Sequence, residues 1–206
     1  RHDPCVGIRA VPVGEAYGED HAPAAFRGTD VTRIIGLAGW SGAGKTTLMI
    51  RLLPCLIDRG LAVSTLKHAH HRFDVDVPGK DSYEHRKAGA QQVMVASGSR
   101  WALMTELRTA REPALPELVA RMDPVDLIIV EGFKRDAHPK IEIHRAANQK
   151  PWMRPDMPGI VAVASDVPAP YDLPRAHLDD IEAIAALVLA HAAPLDAIAW
   201  TQRQEA

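Results

Sequence analysis

Gly39-Trp40-Ser41-Gly42-Ala43-Gly44-Lys45-Thr46 follows the apolar run Arg33-Ile34-Ile35-Gly36-Leu37-Ala38 and leads into Thr47-Leu48-Met49-Ile50-Arg51-Leu52-Leu53. The eight residues match the phosphate-binding pattern G-x-x-x-x-G-K-[ST] without interruption, and the flanks supply the strand and the helix that the pattern requires. Glycines at 39, 42 and 44 are expected to turn the backbone with positive φ. Successive N–H groups, those of Ala43 and Thr47 included, then face one anion, backed by the positive end of the next helix. Lys45 is expected to reach the β- and γ-phosphates of a nucleoside triphosphate, and the Thr46 hydroxyl to hold Mg²⁺. A chance match in a glycine-rich turn is the competing reading, and the strand and helix on either side weigh against it.

The 206 residues suffice for one core of ordinary size. Lys and Arg total 24 against 26 Asp and Glu, a net charge of -2, which argues against nucleic acid as a partner held by bulk charge. Cys5 and Cys55 have neither zinc-site nor disulfide-framework spacing, and a reducing cytoplasm is expected. No stretch approaches the roughly 20 apolar residues of a membrane span, and no apolar segment follows the first charges, so neither membrane nor export is expected.

Residues 1–32 carry Pro4, Pro12, Pro23 and four glycines without periodicity and are expected to form an extended or disordered tail. Residues 33–192 are expected to form the nucleotide-binding domain, and 193–206 a second tail. After the phosphate loop, a helix from Lys45 to about Asp58 should stop at Gly60, with a kink at Pro54. Leu61–Lys67 reads as a strand, His68–Lys80 as a loop, and Asp81-Ser82 as the cap of a helix ending at Gly89. Gln92–Ala96 and Trp101–Leu107 flank Ser97-Gly98-Ser99 as an inserted β-hairpin. A helix over 113–122 precedes a buried strand, Asp126–Val130; further strands are expected at 140–144 and 159–164. Asp179 and Glu182 suggest a capping box for a helix burying Ile181, Ile184, Leu187 and Val188. Strands alternating with helices imply an α/β P-loop NTPase: a doubly wound, mostly parallel sheet flanked by helices.

Ligands of such sheets lie beyond the carboxyl ends of the strands, which makes residues directly after apolar runs informative. Glu131, after Leu127–Val130, stands where a triphosphatase places its second acidic residue, which holds Mg²⁺ directly or through water. Asp is the usual occupant, and a solvated strand-end carboxylate is the alternative. The loop Lys67-His68-Ala69-His70-His71-Arg72-Phe73-Asp74-Val75-Asp76 continues to Lys80 and Asp81. It reads as a switch segment in which Asp81 or Asp76 orients water or ligates from outside, as a zinc or nickel site of His68, His70 and His71, or as a solvated loop. Asp166 follows Val161–Ser165 and can accept from the N1 and N2 donors of guanine, or else cap the turn before Pro168.

Taken together, Gly39–Thr47, Leu66–Tyr83, Arg86–Ala90, Val130-Glu131-Gly132-Phe133-Lys134, Lys140–Arg145 and Ala162–Asp166 resemble the MobB family over about residues 33–192. Its members are P-loop proteins linked to the guanine dinucleotide form of the molybdenum cofactor. The phosphate loop is common to many NTPases; its combination with the lysine-histidine loop and V-E-G-F-K is specific. The resemblance implies a homodimer that binds GTP and Mg²⁺, has weak intrinsic GTPase activity, and acts as an adaptor beside the guanylyltransferase that joins GMP to molybdopterin. Arg72, Arg86 and Arg135 are candidates for phosphate, partner or cross-dimer contacts, against ordinary surface charge, and Trp40 for packing on a partner or over the first helix. A GTP-dependent metallochaperone and a small-molecule kinase using the same loop are the alternative functions.

Overall fold

Residues 31–69 and 73–200 are described by the computed structural model. Strand β1 (Arg33–Ala38) is central because its apolar residues are buried on both faces. It pairs in parallel with β5 (Leu127–Glu131) on one side and β6 (Lys140–His144) on the other. With β2 (Val63–Lys67), β7 (Ile160–Ser165) and β8 (Arg175–His177), the sheet runs β2-β5-β1-β6-β7-β8. All of these pairings are parallel, so every strand delivers its last residue to one edge.

Helix α1 (Lys45–Ile57) buries Leu48, Met49, Leu52 and Leu56, a three-to-four-residue spacing that turns one stripe onto the sheet. Burial of each such side chain is worth about 1.5–3 kcal/mol. The helix continues through Pro54: the ring withholds an N–H from the carbonyl of Ile50, a residue on the exposed face where water can replace it. Beyond its last turn Gly60 takes a φ of 84° and donates to Ile57, the stop expected from the sequence. Helix α4 (Ile181–His191) packs beside α1 over Ile35, Leu37, Ile129, Ile141 and Ile143. The cap of α4 is Asp180, not Asp179: its Oδ1 accepts from Ala183 N at 2.9 Å. Glu182 closes no capping box and instead meets Arg59 at 2.5 Å and Cys55 at 3.3 Å.

The opposite face is covered by short helix α3 (Leu115–Val119), with Ile34, Ile128, Val130 and Phe133 beneath it. Glu117 fastens the start of α3 by accepting from Ala114 N at 2.7 Å. The segment expected as a C-terminal tail begins by docking here. Ala193–Pro194 forms β9, antiparallel to β1, and Leu195, Ile198 and Trp200 pack on this second core. The expected N-terminal tail lies, apart from Val31 and Thr32, outside the described residues.

Helix α2 (Asp81–Lys87) and the hairpin of β3 (Gln92–Ala96) and β4 (Trp101–Thr105) form a separate unit. Lys80 occupies the cap position of α2 and Asp81 its first turn, where a carboxylate faces the positive helix end. Met94 pairs with Leu103 and Ala96 with Trp101, so exposed Met94, Leu103 and Trp101 share one face of the hairpin.

Beneath the loop 145–158, β6 turns Lys140, Glu142 and His144 away from α1. Lys140 is fully buried and donates to the carbonyls of Asp136, His138 and Pro158, yet burial lowers its pKa to about 8. Glu142 accepts from the amides of Met153 at 2.6 Å and Arg154 at 3.2 Å. His138 is fully buried against Gly36, and neither ring nitrogen has a hydrogen-bond partner.

Candidate functional site

The turn from β1 into α1 is a nest of backbone. Gly42 and Gly44 hold φ at 82° and 92°, the left-handed region where a Cβ is strained. Gly39 is required for another reason, since its φ lies outside that region and a Cβ there would meet Ile143 O at 2.7 Å. The expectation of positive φ therefore holds for two of the three glycines, and close packing against β6 accounts for the third. Ala43 N donates to Trp40 O at 3.1 Å within the turn, and Leu48 N to Gly44 O at 2.9 Å starts the helical ladder next to Lys45, Thr46 and Thr47.

Lys45 arches over the loop, its ammonium 3.0 Å from the carbonyls of both Gly39 and Trp40. Burial lowers its pKa, the Glu131 carboxylate pulls it back up, and the Lys134 and Lys67 ammonium groups lower it further. Three ammonium groups, those of Lys45, Lys67 and Lys134, thus act on one another beside the nest with the Glu131 carboxylate among them, a field that favours a multiply charged anion. Glu131 lies 3.6 Å from Lys67 and lines, with Thr46, Met49, Ile50 and Thr65, a cleft of about 170 Å³. Hydroxyl and carboxylate are the hard oxygen donors that Mg²⁺ prefers, and the residues present fit that ion. Asp81, exposed at the start of α2, is not among the residues of this cleft.

The lysine-histidine loop leaves β2 beside V-E-G-F-K. His68 N donates to Glu131 O at 2.8 Å, its ring lies 4.7 Å from Phe133, and Nε2 is 2.5 Å from Glu112 Oε1. Gly132 must be glycine: φ is 100°, and a Cβ would come within 2.6 Å of His68 Cβ. Asp76 is not placed as an outer ligand. It is nearly buried against Arg86 at 2.9 Å, and Arg86 also binds Asp74 at 2.8 Å and Glu106 at 3.4 Å. These carboxylates, Asp76 foremost, raise the guanidinium pKa, so Arg86 clamps this loop to α2 and the hairpin instead of facing a phosphate. Arg135 is exposed, and Arg72, His70 and His71 lie outside the described residues, as does most of the transition-metal reading. Among the described residues no group of three or more His, Cys, Asp or Glu could hold a metal.

Asp166 sits at the end of β7, where Oδ1 accepts from Ala146 N at 2.8 Å. It borders a cavity of about 320 Å³ against the paired strands β7 and β8, lined also by Ser165, Val167, Arg175 and His177. Two further residues join this edge of the sheet. Asn148 Nδ2 donates to Ser41 O at 2.9 Å, and Arg145 lies 4.0 Å from Asp166 while flanking Gly44. Arg145 directly follows β6, so the strand-end reasoning that selects Glu131 and Asp166 selects it equally. Trp40 covers the loop's outer edge, donating from its indole to Pro151 O at 2.7 Å beneath the Lys134 ammonium.

A parallel sheet with the phosphate loop after its central strand, and with lysine, threonine and a strand-end carboxylate around that loop, defines a P-loop NTPase fold. Residues 34–166 match the family described as Molybdopterin guanine dinucleotide synthesis protein B, MobB, and the chain belongs to that family. It is 44% identical over 180 residues to the molybdopterin-guanine dinucleotide biosynthesis adapter protein of Escherichia coli (strain K12), covering 86% of this chain and 98% of that protein. The adapter protein of Haemophilus influenzae is 42% identical over 154 residues, covering 74% of this chain and 85% of that protein. The crystal structure of Bacillus subtilis MobB superimposes with a TM-score of 0.62 at 25% identity, over 78% of this chain and 98% of that one.

Proposed function

We propose that the chain is a GTP-binding adapter in molybdopterin guanine dinucleotide biosynthesis, a homodimer that hydrolyses GTP slowly and acts in the cytoplasm beside the guanylyltransferase. The observation that carries the nucleotide reading is the nest at Gly42 and Gly44 with Lys45 arched over it and Thr46 facing Glu131 across one cleft. The amides would cradle the phosphates, Lys45 would neutralise their charge, and Thr46 and Glu131 would hold Mg²⁺, directly or through water. Bound there, Mg²⁺ would polarise the phosphate oxygens.

Slow hydrolysis follows from what lines the cleft: Lys67 is the cation among its described residues, and no arginine joins it. An arginine placed on the γ-phosphate can be worth on the order of 10³–10⁵ in rate. The exposed Met94, Trp101 and Leu103 on one hairpin face support self-association. Asp166, one carboxylate at the end of a late strand, supports guanine over adenine.

Calorimetric titration with GTP, ATP and GDP, with and without Mg²⁺, followed by a phosphate-release assay, tests the reading. Tight Mg²⁺-dependent GTP binding, weaker ATP binding and turnover well below 1 per second are expected (~10⁻⁴–10⁻³ s⁻¹ for a GTPase without an arginine on the γ-phosphate). Absence of triphosphate binding would refute it.

A further inference from the structure

We infer that Arg145 is an anion-binding residue of the nucleotide site, contacting the α- or β-phosphate; this rests on the nucleotide reading above. Strands β5 and β6 flank β1 on opposite sides. Thr46 and Glu131 mark the β5 side, where the metal and the γ-phosphate belong, and Asp166 marks the far side, toward the base. Arg145 follows β6 and lies between them. Its Nη2 and Nε stand 3.5 and 3.7 Å from where a Cβ on Gly44 would project, beside the first amides of α1.

The guanidinium is held from behind and reachable from in front. Nη1 lies 4.0 Å from Asp166 Oδ2, and 42% of the side chain is exposed. Asp166 in turn accepts from Ala146 N, and Asn148, three residues after Arg145, ties the same segment to the phosphate loop through Ser41 O. A planar fork with several donors suits phosphate oxygens. A nucleotide with its phosphates on the nest and its base at Asp166 must pass over this residue, so both ends of the ligand meet one ion pair.

The test compares wild type, Arg145→Ala and Arg145→Lys by calorimetry with GTP, GDP and tripolyphosphate, and by steady-state GTP hydrolysis. Loss of a charge-assisted contact should weaken all three ligands by about tenfold to a hundredfold in Arg145→Ala, with partial recovery in Arg145→Lys. KM should rise with kcat nearly unchanged. Unchanged affinities would overturn the inference. A loss confined to GTP and GDP, sparing tripolyphosphate, would overturn it by showing that Arg145 only steadies Asp166, and a fall in kcat at constant KM would do so by moving it to the γ-phosphate. A wild-type protein that binds neither nucleotide nor tripolyphosphate would overturn the nucleotide reading itself, and the inference with it.

Discussion

His138 should make the fold sensitive to mild acid. Its ring is fully buried, both nitrogens lack partners, and burial, with the Lys140 ammonium adding to it, lowers its pKa from 6.5 to about 3. The folded protein therefore resists a proton that the unfolded chain accepts freely below pH 6.5. Stability from this source is complete above pH 6.5 and is lost as the pH falls toward 3. At pH 5.0 the unfolded imidazole is almost all protonated and the folded one almost all neutral, a difference of about 2 kcal/mol; at pH 7.5 it is nearly zero. Urea unfolding of wild type and His138→Leu at both pH values isolates this contribution, because other titrating groups are common to the two proteins. Wild type should lose about 2 kcal/mol more than the variant between pH 7.5 and 5.0. Equal losses would show that the imidazole is solvated or protonated in the fold, and the reasoning from burial would fail.

Lys45→Ala should abolish measurable triphosphate binding with the fold intact by circular dichroism; calorimetric affinity equal to wild type would remove Lys45 from the site. Asp166→Asn should weaken GTP about tenfold to a hundredfold more than ATP, and parallel losses would exclude this carboxylate from base recognition. Gly132→Ala forces both a strained φ and a clash with His68, and should lower Tm by about 4–12 °C; an unshifted melt would contradict the 2.6 Å approach. Met94→Asp combined with Leu103→Asp should turn the proposed dimer into monomer in sedimentation velocity, whereas an unchanged mass would place self-association elsewhere.

The phosphate loop, β5 and its terminal Glu131 were legible because each is a local pattern: glycine spacing, a continuous apolar run, and the residue where that run stops. Strand β8 was not, since three residues of mixed exposure have no period to detect. Strand β9 was missed for a related reason, as Ala193–Pro194 acquires meaning only from the open side of β1. Asp179 and Asp180 are both plausible caps, and the choice depends on where the chain leaves β8. Gly39 looked like a torsional glycine and is a steric one, a distinction set by Ile143 across the sheet. Likewise Arg86 and Asp76 each resembled a site residue until the fold placed them together, spending two charges on an internal clamp. Arg145 carried the same strand-end signal as Glu131, and its meaning came from which strand lies next to the phosphate loop.

The antiparallel pairing of β9 with β1 has a bearing on biogenesis. Arg33 is bound through its guanidinium to Ala192 O, 159 residues further along the chain. On the ribosome, the strand that feeds the phosphate loop emerges early and is completed by neighbours that all come later. Until residues 193–200 have left the exit tunnel, the amides at its start and the apolar floor beneath Trp200 stay uncovered. The strand that feeds the phosphate loop thus gains its last partner only once the polypeptide has been made through Pro194.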